Sequence, residues 1–444
     1  MPTQPGIAIA FESDTMDATP TWVRIDDPDG QRGARGWSLD RGRSTELDKT
    51  ATGTARVDIV DLDGSYDPTN LGGPYLNSLN PAKQVSIALW NPNTSTWYPR
   101  FRGFVAEWLY DFEISGNVNN ITLECADGFD LMAALEMTPG NVGDTAPFDS
   151  TGDIYFAADA TLDAVQQRII AALDDAGWPS AWRTEVFTGN VGLQQSIYAR
   201  RDQLLSVIVD AADAEFPGVA NCFIDGNGGI VFHGRFARFN PDDVDYNIRR
   251  WKAGSMDQAL LDEDMVPITG LAFRRSNADI INAAVALPQN VTNEDVPGNL
   301  VTDPTSIGLY GWRSVSFDNL LTANGYPGTT AVEETKKFAE YYVDNYAVPR
   351  TRVTQLRFRA RDHRSFNGAA LWAFLCQVEI SDIIELHTTH LGGGGFDEDF
   401  YVEGIHYTCT PAQPDPDTLE QRLPDLELVL DVSPRAYFDT NPFD

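Results

Sequence analysis

Between residues 55 and 127 short apolar runs alternate with clusters of turn-forming residues, and this rhythm restricts the chain more than any other feature. "ARVDIV" (55–60), "QVSIALW" (84–90), "FRGFVAEWLYDFEI" (101–114) and "NNITLECAD" (119–127) are rich in Val, Ile, Phe and Trp, as strands are. "DLDG", "DPTNLGGP", "NPNTS" and "SGNVN" stand between them and punctuate as turns. The spacing predicts an antiparallel β-barrel or sandwich over residues 1–140.

The rhythm breaks at "TPGNVGDTAPFDSTGD" (138–153), which has little to bury and predicts a linker over 141–153. In "TLDAVQQRIIAALDDAGWP", Leu162, Val165, Ile169 and Leu173 recur at helical spacing, Gly177 suits a C-terminal cap and Pro179 stops the helix. A second helix is expected over about 202–214, with Leu204, Leu205, Val207, Ile208 and Ala211 on one face. "NCFIDGNGGIVFHGR" reads as a hairpin turning within Asp225–Gly228. Two helices and a hairpin make 154–250 an α+β domain.

Strand patterns return in 251–444, in "ITGLAFRR", "IINAAVAL", "RVTQLRFRA", "IIELHTTH", "FYVEGIHYTC" and "DLELVLDV". One helix is expected among them, at about 331–346, with Val332, Phe338, Ala339, Tyr342 and Tyr346 on one face. The polar, proline-bearing stretch 288–305 reads as a loop. "FRGFVAEWLYDFEISGNVNNITLECAD" and "YVEGIHYTC…PDLELVLDV" share an order of aromatic, Gly, long strand, polar loop and strand. Two similar barrels at the two ends would produce that echo. The expected fold class is therefore mainly β, two small antiparallel barrel or sandwich domains flanking an α+β insert. With 444 residues, 42% of them hydrophobic, the chain can fill about three such cores.

Charge narrows the function. Sixty-five Asp and Glu against 32 Lys and Arg give a net charge of −33. Such a surface repels phosphate, which argues against nucleic-acid binding through a basic patch and against docking to anionic lipid. Cys125, Cys222, Cys376 and Cys409 lie far apart with no CxxC pair and read as buried free thiols. The start "MPTQPGIAIAFESD" lacks the basic region of a secretion signal, and no run approaches the ~18 apolar residues of a membrane span. The expectation is a soluble protein made in a cytoplasm.

Candidate sites mostly resolve into structure. Asp61, Asp63 and Asp67 in "DLDGSYD" suggest a calcium loop, but Gly64 holds the fourth place where an EF-hand needs it at the sixth, and Gly72 replaces the terminal Glu. A hairpin turn explains the stretch, with Asp63-Gly64 supplying a positive φ and Asp67-Pro68 starting a second turn. His387 and His390 in "HTTH" sit three apart on an expected strand and so point to opposite faces, which prevents chelation. In "LGGGGFDEDF" the glycines Gly392, Gly393, Gly394 and Gly395 lack the Lys and helix of a phosphate cradle. Asp397, Glu398 and Asp399 follow them and would repel the anion. His406 lies near Glu403 on an expected strand and reads as a satisfied core or interface residue. No GxSxG, HExxH or Cys–His frame stands out, so no catalytic residue, metal or cofactor is assigned.

"RGRSTELDKTATGTARVDIVDLDGSYDPTN" (41–70), followed by "GPYLNSLNPAKQVSIALW" and "YPRFRGFVAEW", closely resembles the N-terminal barrel of minor tail proteins of long-tailed bacteriophages, those of actinobacterial hosts above all. "LLSVIVDAADAEFPGVANCFIDGNGGIVFHGR", "RSNADIINAAVAL", "TSIGLYGWRS" and "FYVEGIHYTCTP" continue the likeness in order over about 15–435. Together they look like the tail hub, the baseplate-hub-like protein at the tip of the tail tube.

The resemblance implies a structural virion protein without enzymatic activity. It implies a homotrimer whose six barrels match the sixfold tube and distal tail protein ring above and end in threefold symmetry below. Further partners would be the tape measure protein, other minor tail or fibre proteins, and genomic DNA only in transit through an acidic lumen. Membrane binding by this chain alone is not expected. Either the 154–250 insert or the glycine loop at 391–395, with Asp397, Glu398 and Asp399, would then gate the channel before DNA ejection. Alternatives are a distal tail protein, a receptor- or glycan-binding tip protein, and a cell-wall-degrading enzyme.

Overall fold

The computed structural model describes residues 6–26, 32–113, 118–137, 154–161, 163–199, 201–242, 246–259, 262–324, 329–360, 368–389, 394–410, 425–439 and 442–443. The expected linker at 141–153 lies outside them, as do Leu162, His390, Gly392 and Gly393.

Near the N-terminus six strands form one unit: β1 (Gly6–Ile9), β2 (Arg32–Gly42), β3 (Ala51–Asp61), β4 (Gln84–Asn91), β5 (Thr96–Glu113) and β6 (Val118–Ala126). They pair in the order β2-β3-β6-β5-β4-β1, antiparallel throughout. Alternation drives the packing. On β3, Ala55, Val57 and Ile59 are buried while Arg56 and Asp58 face water, the period of a half-buried strand. Val23–Arg24 adds to β1, and Ala34 N–H donates to Ile25 C=O (3.0 Å) on the way back to β2.

A second unit is built from β7 (Arg250–Gly254), β8 (Gly270–Arg274), β9 (Arg352–Ala360), β10 (Ile383–Thr389), β11 (Gly395–Thr410) and β12 (Asp425–Pro434). Its order is β8-β9-β12-β11-β10-β7. Counted from the first strand of each unit, both orders read 2-3-6-5-4-1. β5 and β11 also carry bulges at matching places, Val105/Glu107 and Val402/Gly404. One pairing departs from the match: β1–β4 is antiparallel and β7–β10 parallel. The echo between 101–127 and 401–432 thus falls on two hairpins, β5–β6 and β11–β12, in equivalent positions.

The units are mainly β, as expected, but neither ladder closes into a barrel. Instead β11 turns its later half, Gly404–Cys409, onto Gly42–Trp37 of β2. One 14-stranded sheet results, over a continuous apolar core running from Ile7 and Val57 to Leu430 and Ile405.

The insert packs α1 (Gly128–Ala134), α2 (Ala164–Asp175) and α3 (Leu204–Glu215) around Met132, Ile169, Leu173, Val207 and Ala211. Gly177 takes φ +70° and Trp178 N–H returns to Leu173 C=O (2.8 Å), ending α2. The hairpin Asn221–Ile224/Ile230–His233 turns at Asp225, which accepts from Asn227 and Gly229 N–H at 2.8 Å each. α1 was not expected from the sequence, and its Phe129 and Met132 belong to the insert's core.

Beyond it, α4 (Ala331–Tyr346) starts at a Thr330–Glu333 capping box. It packs with Ala283–Pro288, part of a three-stranded sheet with Val301–Thr302 and Ser314–Leu320. The single helix expected in this third is joined by α5 (Gly368–Gln377), Met256–Ala259 and Pro304–Tyr310. α5 buries Leu371, Phe374 and Leu375 and also packs Ala370 and Trp372 on the core. A helix covered on so many sides shows no amphipathic period. The stretch expected as a loop, 288–305, already contains Val301–Thr302 and the first two residues of the helix Pro304–Tyr310.

Candidate functional site

Where the two units meet, β2 and β11 run so close that two positions accept only glycine. Gly42 takes φ +93°, and a Cβ there would stand 2.2 Å from the Glu403 carbonyl oxygen; one on Gly404 would stand 2.7 Å from the Arg43 carbonyl oxygen. Arg43 N–H donates to that same Glu403 carbonyl at 3.0 Å. The bulge at Val402/Gly404 accompanies the inward placement of Glu403, which is fully buried.

There Glu403 accepts from Arg43 Nε (2.8 Å), from both Nη atoms of Arg238 (Nη2 at 2.9 Å) and from Ser433 Oγ. Burial alone would raise this carboxyl, but the two guanidinium groups and the hydrogen bonds hold it down at about 2. Arg43 comes from the first unit, Glu403 from the second and Arg238 from the short helix Phe236–Phe239 that follows the insert's hairpin. One carboxylate therefore ties three parts of the chain.

Around it similar groups repeat the device. Arg41 Nη1 reaches Ile224 C=O (3.0 Å) and Glu379 (2.9 Å), and Arg100 Nη1 donates to Cys376 C=O (2.9 Å). Glu46 accepts from Tyr346 OH (2.6 Å) and Arg352 Nη1 (3.2 Å), while burial pushes its carboxyl up. Each named carboxylate is engaged by guanidinium or hydroxyl groups, which fixes the strands that carry them.

His406 stands on the same seam. Its Nδ1 is 2.7 Å from Asp40 on β2 and its Nε2 2.7 Å from Asp431 on β12. Burial opposes the charge, but hydrogen bonds to both carboxylates prevail and raise the imidazole to about 9. The nearby Glu403 suggested by sequence is not its partner: Glu403 is engaged by Arg43, Arg238 and Ser433 instead. A raised folded value stabilises below the unfolded value of about 6.5 and is lost as pH rises through about 9. His406→Gln is therefore expected to lower the melting temperature at pH 6, with the gap to wild type shrinking by pH 10. A pH-independent gap would remove the charge from this account.

The Asp61 turn is self-contained. Asp61 accepts from Ser65 and Tyr66 N–H (3.1 and 3.0 Å), Asp63 from Ser65 N–H (3.0 Å) and Asp67 from Thr69 N–H (2.7 Å). Gly64 has φ +73°. It does not close a hairpin, since β3 pairs with β2 and β6 and the next strand, β4, lies across the unit. Among the described residues no group of three or more His, Cys, Asp or Glu is disposed to hold a metal. Chelator treatment should leave the melting curve unchanged. An ion held here by six or more oxygens at ~2.3–2.6 Å would reverse that expectation.

Of the glycine loop, Gly395 opens β11 opposite Thr389, and Gly394 and Gly395 are exposed. Asp397 pairs with His387 (2.6 Å) and Asp399 with Arg435 (3.0 Å); Glu398 is exposed opposite Leu386. The four cysteines are free, Cys222 half-buried and the others buried. Among the described residues no helix is long and apolar enough to cross a membrane.

No family model matches this sequence, and no curated protein is similar to it. Solved structures are. A tail protein of prophage MuSo2 from Shewanella oneidensis aligns over 98% of this chain and 99% of its own, with TM-score 0.52 and 10% identity. A tail protein from Neisseria meningitidis aligns over 96% of both chains, with TM-score 0.51 and 11% identity. The chain has the fold of phage tail proteins. A prophage tail protein from Listeria monocytogenes is more distant, with TM-score 0.44, 8% identity, and 96% and 94% coverage.

Sequence reading missed the Arg43–Glu403–Arg238 cluster. The available signal was a charge set inside an apolar run, Glu403 in "FYVEGIHY" and Arg238 in "FARF", since an ion placed there must be paired.

Proposed function

We propose that this chain is a structural protein of a phage tail, the hub at the tip of the tail tube, assembled as a homotrimer. The observation that carries the reading is the doubled strand order, 2-3-6-5-4-1 in each unit, in a fold shared end to end with two phage tail proteins. Three chains with two like units each supply six wall elements, which adapts a sixfold tube and distal tail ring to a threefold tip. Residues 1–140 and 251–444 would form that wall and 154–250 the insert that helps close the channel.

The tape measure protein and other minor tail or fibre proteins would contact the tip, and DNA would pass through during ejection. A net charge of −33 favours passage, since an acidic lumen repels phosphate. The insert suits the closing role better than the glycine loop, because Asp397 and Asp399 are already paired within the chain. No catalytic activity is assigned. Native mass measurement of the purified chain, followed by imaging of the assembled tail, tests the reading. Three copies bound to a sixfold ring are expected; a monomer in the tail, or six copies in one ring, would overturn it.

A further inference from the structure

The strand β11 offers one edge in two halves. Residues 395–401 pair there with β10, and residues 404–409 pair with β2 of the other unit. β5 is its structural counterpart, and its residues 96–104 pair with β4 along the corresponding half. That half ends at Val105, whose N–H donates to Lys83 C=O (2.9 Å) and whose C=O accepts from Ala82 N–H (2.7 Å). Among the described residues no strand occupies the rest of this edge, residues 106–113.

The consequences show in the side chains. Matching the two bulges makes Tyr110 the counterpart of Tyr407, and Phe112 that of Cys409. Tyr407 is 1% exposed, with Trp37 of β2 lying 6.1 Å from its ring. Phe112 is 39% exposed against 5% for Cys409, and Tyr110 is only half-buried. The seam that buries the inner residues of β11 is lacking on β5.

The strand that would fill it can be named. Gly36 faces Asp58 on β3 and Gly270 faces Arg357 on β9, at corresponding points of the two ladders. β8 is therefore the counterpart of β2. Among the described residues β8 pairs with β9 and with no strand on its other side, and Phe273 is 51% exposed. Charge agrees: residues 106–113 carry Glu107, Asp111 and Glu113, all exposed, whereas β8 ends in the exposed Arg274 followed by exposed Arg275. Arg274 also pairs with Asp279 of its own chain at 2.9 Å.

We propose that β8 of one copy pairs antiparallel with residues 106–113 of β5 in a second copy, repeating between chains the β2–β11 seam found within one. Unpaired strand edges are natural templates for such addition. Transferring the register in which Trp37 faces Cys409 and Ser38 faces Thr408 sets Leu271 by Phe112, Ala272 by Asp111 and Phe273 by Tyr110. Each copy donates β8 at one side and accepts at β5 on the other, a head-to-tail contact that closes into a ring when the rotation permits. The inference rests on the ring assembly proposed above, to which it adds the surface.

The test introduces Ala272→Cys and Asp111→Cys together and applies mild oxidation. Wild type and each single variant serve as controls, and unchanged melting curves confirm folding. A ladder of covalent species on non-reducing gels, ending at three chains, is expected. Arg274→Glu with Arg275→Glu should weaken assembly about tenfold or more by placing like charges together, and Glu107→Arg with Asp111→Arg should restore it. Cross-linking into open chains or six-membered rings would keep this contact and overturn the trimer. A trimer by native mass that neither cross-links nor responds to charge reversal would keep the trimer and overturn this contact. A monomer that does not cross-link would overturn both.

Discussion

Glu403→Gln is expected to cost about 3–5 kcal/mol of folding free energy, the range for breaking a buried ion pair by removing one partner. The carboxylate is fully buried, and Arg43 and Arg238 beside it are 6% and 1% exposed. Taking away one negative charge leaves two guanidinium groups desolvated and facing a neutral amide. The acid limb offers a second readout. A carboxyl held near 2 when folded, against about 4.3 when unfolded, contributes stability above its unfolded value and loses it as pH falls toward 2. Wild type should lose that contribution between about pH 4.5 and 2, and the variant should have none to lose. Denaturant titrations at pH 7 and pH 3 measure both effects. The cost should be less than additive with Arg43→Met, because both changes strip the same pair. A loss under about 1 kcal/mol at pH 7 would mean that the cluster does not hold the seam.

How far residues alone led toward this seam follows from how local its signals are. The strand run on β3, the apolar face of the helix at 331–346 and the Asp225–Gly228 turn are written within a few residues, and the structure has them where the pattern put them. α5 escaped because its apolar residues answer to the core on several sides, which erases the helical period, and α1 because seven residues are too few to set one. The pairing of β2 with β11 joins residues more than 360 positions apart, and no short-range pattern encodes a partner at that distance. Even so, the two hairpins that resembled each other in sequence occupy equivalent places in two units of the same strand order. The echo was real topology carried by few identities. His406 and Glu403 show the limit in miniature: they are three residues apart, yet His406 meets Asp40 and Asp431 while Glu403 meets Arg43 and Arg238, partners that lie far off in the sequence or across the sheet.

Gly42→Ala should be the most costly glycine substitution on the seam, of order 3 kcal/mol. A non-glycine residue at positive φ costs roughly 1–2 kcal/mol wherever it stands. At Gly42 the added Cβ also meets backbone, the Glu403 carbonyl oxygen at 2.2 Å and the Gly404 Cα at 3.0 Å. Neither atom is the end of a flexible side chain, so relief requires β2 and β11 to separate. Separation strains the hydrogen bond from Arg43 N–H to Glu403 C=O, and a buried polar group left unpaired costs about 1–3 kcal/mol. Gly177→Ala isolates the conformational part: Gly177 has φ +70° and nothing within 4 Å of the added Cβ. It should lose only the ~1–2 kcal/mol of the backbone term. Comparing the two variants by denaturant unfolding separates backbone strain from strand contact. If both lose the same amount, the seam yields without cost and the close approach of β2 to β11 contributes nothing to holding the two units together.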